Sequence, residues 1–136
     1  MAAAYIHSES WQQSHREICT PAFLALHTPE HQRNYLESEI EKGAKLYMLT
    51  DQKPVGIVTV WGSLIENLYI LPDEQNKGYG TKLLVFAMEK CTGTPTLWIL
   101  SGNEGARRLY ERHGFRLTGN RNQIAEGLYE LELRKG

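Results

Sequence analysis

Cysteine is nearly absent: Cys19 and Cys91 stand alone, too few and too isolated for a disulfide framework. Long apolar runs are missing as well. No stretch approaches the ~20 residues that a bilayer-spanning helix requires, and the opening MAAAYIHSES has neither the basic nor the apolar region of a secretory signal. A reducing cytoplasm is the expected setting, and no membrane partner is. Neither sign of charge prevails: 15 Lys+Arg face 16 Asp+Glu, a formal net charge of −1. A nucleic-acid-binding tail and a polybasic anchor are thereby disfavoured, and any anion site must be local. His27 and His31 are four residues apart, but Pro29 intervenes and no third ligand stands near, so no metal site is expected. Repeats, low-complexity tracts and linkers are lacking too. The 136 residues therefore predict a single domain, residues 1–136, within the usual range of ~50 to 250.

What is present is an ordered series of helices and strands. Residues 3–17 and 29–41 are rich in helix formers and are separated by Thr20-Pro21 and Thr28-Pro29. Residues 44–50 and 55–61, joined by a turn at 51–54, predict a hairpin. In 64–71 the alternation places Leu64, Glu66, Leu68 and Ile70 on one face and Ile65, Asn67, Tyr69 and Leu71 on the other. A helix over 78–91 carries Leu83, Leu84, Ala87, Met88 and Cys91 along one stripe. The apolar run 97–100 predicts a strand buried on both faces, as parallel strands are. Asn103 caps a further helix with Ala106, Leu109, Tyr110 and His113 inward, and Gly114 stands where its C-terminal cap belongs. Residues 115–118 and 128–133 read as the last strands, with 119–127 a polar loop between them. These elements predict an α/β fold with a sheet of mixed direction.

The most informative segment is Gln75-Asn76-Lys77-Gly78-Tyr79-Gly80-Thr81, between the apolar run closed by Pro72 and the helix beginning near Gly78. Glycines at such a junction let a ligand approach the backbone, and the free N–H groups and dipole of the first helical turn favour an anion. The spacing excludes a P-loop, which needs four residues between its glycines and a Gly-Lys-Ser/Thr ending. The dinucleotide fingerprint is excluded as well, because its third glycine would fall at Leu83.

Gln75-x-x-Gly78-x-Gly80, followed by Asn103-x-x-Ala106-x-x-x-Tyr110-x-x-x-Gly114-Phe115, resembles the GNAT superfamily of N-acetyltransferases, with likeness from about Trp11 to the last strand. The resemblance implies a mixed, mostly antiparallel sheet flanked by about four helices, with acetyl-CoA as cosubstrate and no metal. It implies that Gln75, Asn76, Lys77, Gly78, Tyr79, Gly80 and Thr81 hold the pyrophosphate. Backbone groups of Leu68, Tyr69 and Ile70 would meet the pantetheine and acetyl carbonyl, Asn103 would contact the coenzyme, and Tyr110 would be the general acid. The acceptor is implied to be a primary amine of a small molecule or peptide. Such an amine must lose a proton to react, directly or through water, and we select Glu66 as the base; the chain departs from the family pattern in having Ser101-Gly102 where members often carry a carboxylate just before the Asn-led helix. The family's usual first strand is expected to be missing, which would leave 44–50 as a sheet edge that either pairs in a homodimer or is met by a substitute cover. A non-catalytic acyl-CoA-binding or regulatory module of the same fold is the alternative function.

Overall fold

The computed structural model describes residues 2–15 and 29–136. The expected break at Thr20-Pro21, together with Cys19 and His27, lies outside them. The described chain runs α1 (Ala2–His15), α2 (Pro29–Glu41), β1 (Lys45–Asp51), β2 (Lys53–Trp61), β3 (Leu64–Ile70), a 3-10 turn (Pro72–Glu74), α3 (Tyr79–Lys90), β4 (Thr96–Leu100), α4 (Glu104–Arg112), β5 (Phe115–Ala125) and β6 (Leu128–Lys135). The six strands form one sheet in the order β1-β2-β3-β4-β6-β5. Only β3 and β4 pair in parallel, joined by the right-length crossover through α3; the other pairs are antiparallel.

Helices cover both faces of this sheet, and each face has its own apolar cluster. Leu83, Leu84 and Ala87 of α3 and Tyr110 of α4 pack on Val58, Val60, Ile65, Leu97 and Leu133. On the other face, Ala3 and Ile6 of α1 and Leu36 of α2 pack on Ile57. The stripe expected on α3 is the buried one because its 3.6-residue period turns those positions to the sheet.

Two expectations are overturned. The alternation expected for 64–71 breaks at Asn67, whose φ is 55°. Thr59 pairs with Glu66 and Ile57 with Tyr69, so β3 has one residue more than β2 between these pairs. The bulge moves Leu68 and Ile70 to the α3/α4 face with Ile65, while Glu66 stays on the opposite face, shared with Thr59 and Tyr69. The polar loop expected at 119–127 is largely strand, with Arg121 opposite Leu131, Asn122 opposite Glu130 and Gln123 opposite Tyr129. Its polar side chains reflect an exposed sheet edge whose ladder is made by the main chain, and a register shift between Leu117 and Arg121 absorbs Gly119.

Candidate active site

The site begins as a gap in the sheet. β3 and β4 pair at Leu64–Thr96 and Ile65–Leu97 and then diverge, because the bulge bends β3 just beyond that point. Asn67 tolerates its left-handed backbone better than most residues, and its amide is held from several elements. Nδ2 donates to Thr59 Oγ1 at 2.9 Å and to the Tyr35 hydroxyl at 3.3 Å, while Oδ1 lies 2.9 Å from His7 Nε2. Thr59 Oγ1 in turn donates to the Glu66 carbonyl at 3.0 Å. The opening is a cleft of about 960 Å³ bordered by Leu68 and Ile70 on one side, Leu97 and Leu100 on the other, with Tyr110 and Glu130.

One end of the cleft is a cradle of main-chain donors. Leu71 N–H donates to the Val55 carbonyl at 2.8 Å, and Ile70 stands opposite Gly56. In an antiparallel ladder this makes Ile70–Gly56 a non-hydrogen-bonded pair, so the Ile70 amide and carbonyl face the gap. Tyr69, one residue back, turns its main chain to β2. The Ile70 carbonyl accepts Ser10 Oγ at 2.8 Å and Gln75 Nε2 at 3.1 Å. Next, Gly78 caps α3 with φ 85°, and the first intrahelical bond runs from Lys82 N–H to the Gly78 carbonyl at 3.2 Å. The amides of Tyr79, Gly80 and Thr81 precede that bond and have no helical carbonyl to reach. A Cβ on Gly78 would meet nothing within 4 Å, so glycine is required there for its φ, not for space.

The cradle is fastened to the tip of the β1–β2 hairpin. Glu74, 8% exposed, receives Lys53 Nζ at 3.0 Å and Lys77 Nζ at 3.0 Å. The bond from Lys53, then that from Lys77, holds its carboxyl below the ordinary range. Tyr79 donates its hydroxyl to Asp51 Oδ2.

At the other end lie the titratable groups. Tyr110 is 9% exposed and packs edge-on to Phe115 with ring centroids 6.0 Å apart. Burial pushes its phenol up to about 12. Among the described residues its hydroxyl makes no hydrogen bond. Tyr69 packs edge-on to His7 at 4.7 Å, and its phenol is raised by burial and then by the neighbouring Tyr110. Glu66 is half-buried, and its carboxyl is raised first by desolvation and then by Glu39 and Glu130. Burial also raises Glu130. Asn103 caps α4, its Oδ1 accepting the Ala106 N–H at 3.3 Å.

Of the residues singled out from sequence, Tyr110, Glu66, Leu68, Tyr69, Ile70, Gln75, Asn76, Gly78, Tyr79, Gly80, Thr81 and Asn103 all border the cleft. Lys77 does not, being drawn to Glu74. Sequence reasoning missed Ser10, Glu74, Asn67 and Glu130. Glu130 sits in an alternating strand where a carboxylate reads as a solvent-facing position, and the signal available was its register opposite the apolar Leu100.

A mixed sheet parted between two parallel strands, with a glycine-capped helix aimed at the gap, defines an acyl-coenzyme-binding fold. The acetyltransferase (GNAT) domain matches residues 42–117, more than half of the chain, and the chain belongs to this family of acetyl-CoA-dependent acetyltransferases. Three similar solved structures span nearly the whole chain. The apo form of YjaB from Escherichia coli shares 23% identity with a TM-score of 0.68, covering 97% of this chain and 87% of its own. The PaiA N-acetyltransferase from Thermoplasma acidophilum, in complex with coenzyme A, shares 17% with a TM-score of 0.66, covering 95% and 88%. YncA from Salmonella typhimurium, a putative acetyltransferase with its cofactor acetyl-CoA, shares 17% with a TM-score of 0.62, covering 97% and 88%. No curated protein matches the chain.

Proposed function

We propose that the protein transfers the acetyl group of acetyl-CoA directly to a primary amine, with Tyr110 as general acid and Glu66 as base. The observation that carries this reading is the meeting of the Ile70 main chain and the Tyr110 phenol in one cleft. The diphosphate docks on the amides of Tyr79, Gly80 and Thr81. Asn103, its Oδ1 used by the cap, offers Nδ2 to the coenzyme. The thioester then lies along β3, its carbonyl oxygen toward an amide near Ile70 that can hold the oxyanion.

The amine nitrogen attacks the thioester carbon, a C–N bond forms, and the C–S bond breaks. The proton lost by nitrogen passes to Glu66 directly or through water, and the departing sulfur takes the phenolic proton of Tyr110. Both groups are reset by proton exchange with solvent, leaving an N-acetyl amide and the free thiol. A phenol at about 12 is a weaker acid than an ordinary thiol near ~8.5. Proton donation therefore depends on the cleft disfavouring the thiolate as strongly as it does the phenolate, and it accompanies C–S cleavage.

The test is thiol release from acetyl-CoA over a panel of amines, amino acids and peptide N-termini. Tyr110→Phe is expected to lower kcat about 10² to 10⁴-fold, the usual range for one acid–base group, with coenzyme affinity kept. Coenzyme binding without thiol release across the panel would instead indicate a non-catalytic acyl-CoA-binding module. We also propose that a second copy pairs with β1, which among the described residues is bonded on one side only, to β2. Size-exclusion chromatography giving a monomer at assay concentrations would contradict that pairing.

A further inference from the structure

Among the described residues the sheet ends in β1 on one side and β5 on the other, and these edges are built differently. β5 carries devices that keep an edge from pairing: register shifts against β6 after Leu117 and after Gln123, Gly119 with φ 95°, and exposed charges at Arg116 and Arg121. β1 has neither glycine nor proline, and its middle, Leu46-Tyr47-Met48-Leu49, is apolar, with Met48 40% exposed. Its register shift against β2, between Leu49 and Thr50, adds a residue to β2 and leaves β1 regular.

The free main-chain groups of β1 can be assigned. Gly56 forms a non-hydrogen-bonded pair with Ile70 and so turns its main chain to β1, which makes Leu49–Gly56 a hydrogen-bonded pair. Alternation does the same for Tyr47–Val58 and Lys45–Val60. Leu46, Met48 and Thr50 therefore point their N–H and C=O groups outward, and Pro54, opposite Thr50, has no N–H to give. Side chains alternate between the faces as well. Tyr47 and Leu49 pack on the α3/α4 cluster and Leu46 on the α1/α2 cluster. Tyr47 continues the apolar surface onto Phe86 of α3, with ring centroids 4.9 Å apart.

Resting on the edge pairing proposed above, we infer that the occupant is a second copy whose β1 lies antiparallel to the first about a two-fold axis at Met48. The strand's own order of residues selects this register. With Met48 facing its own counterpart, the Leu46 main chain bonds the partner's Thr50, and every outward group is used. Tyr47 then stands opposite the partner's Leu49, an aromatic–aliphatic pair on the α3/α4 face. Toward the strand ends, Lys45 stands opposite Asp51 of the partner subunit in a non-hydrogen-bonded pair, where side chains approach most closely. Both are exposed, and neither makes an ion pair among the described residues. Asp51 receives the Tyr79 hydroxyl on Oδ2, which leaves Oδ1 for the incoming ammonium. Each copy thus lends a lysine to the carboxylate that holds Tyr79 at the opening of the other's α3. An axis at Leu49 would instead set Tyr47 against Asp51 and Lys45 against Lys53, and an axis at Tyr47 would leave Asp51 beyond the end of the opposing strand. The arrangement is isologous and closes at two copies.

Sedimentation equilibrium over a concentration series is expected to show a monomer–dimer equilibrium. Met48→Lys sets like charges on the axis and is expected to weaken it by about 10-fold or more. Met48→Pro removes an outward N–H that bonds nothing in β2; the same weakening is expected, and this variant serves if Met48→Lys fails to fold. Register is read by disulfide trapping in a Cys19→Ser, Cys91→Ser background. Lys45→Cys and Asp51→Cys copies, one carrying a mass tag, are expected to cross-link when mixed and oxidised, and not when each is oxidised alone. Opposed Cα atoms at about 4.5 Å lie within disulfide reach, whereas the two Lys45 positions stand at opposite ends of the paired strands. A monomer at every concentration would overturn the pairing itself. A dimer unmoved by both Met48 variants, no cross-link in the mixture, or cross-linking of either copy alone would overturn this register. Failure of the acetyltransferase reading is separate, since it shows as no heat when coenzyme A is titrated.

Discussion

Asn67 carries more of the active-site geometry than any neighbour on its strand, because a single amide ties the bulge to α1, α2 and β2. Asn67→Gly keeps the φ of 55° available and loses the bonds, whereas Asn67→Ala loses both. Urea denaturation should find Asn67→Ala less stable than Asn67→Gly by about 1–2 kcal/mol, the cost of a left-handed residue with a Cβ. Equal stabilities would show that the bulge has relaxed. Glu66 supplies a pH test. Desolvation and then the charges of Glu39 and Glu130 hold its carboxyl above the ordinary range, and a base works only when ionised. Activity should therefore rise with pH through a raised pKa. In Glu39→Gln one repelling charge is gone, so the limb should move to lower pH. A pH–rate profile with that limb unmoved or displaced upward contradicts the role given to Glu66.

The β1–β2 hairpin is fastened to the turn that opens α3, the proposed coenzyme cradle, since its tip residues Asp51 and Lys53 hold Tyr79 and Glu74. Lys53→Ala combined with Tyr79→Phe should raise the KM for acetyl-CoA several-fold and leave that for the amine unchanged; a rise in the amine KM alone would contradict this. Because the Glu74 carboxyl is lowered in the folded state, its contribution is full above the ordinary carboxylate range and is lost as pH falls through the lowered value. The glycine-capped turn opening α3 was legible in the sequence because glycine spacing before an amphipathic helix has few other uses. The helix stripes were legible because burial follows their period. The bulge was not, since the sign of φ at Asn67 leaves no mark in an alternating pattern. The start of β5 was read as strand, but its continuation through Ala125 was misread as loop because an edge strand needs no apolar face to make its ladder. Glu130 escaped because its significance depends on which strand lies beside it.

At the scale of the whole molecule the sheet is a partition that opens at one place. On the proposed reading, coenzyme enters from the α3/α4 side and the amine from the α1/α2 side, and they meet where β3 leaves β4. Because the coenzyme binds only the folded chain, acetyl-CoA at 100 times its Kd should add about 2.7 kcal/mol of stability, read as a rise of several degrees in Tm. The sharpest check is calorimetric, comparing coenzyme A with pantetheine, which lacks the diphosphate. If the amides that open α3 grip that group, coenzyme A gives saturable heat and pantetheine binds at least about 100-fold more weakly. Equal affinities, or no heat from coenzyme A, would contradict it.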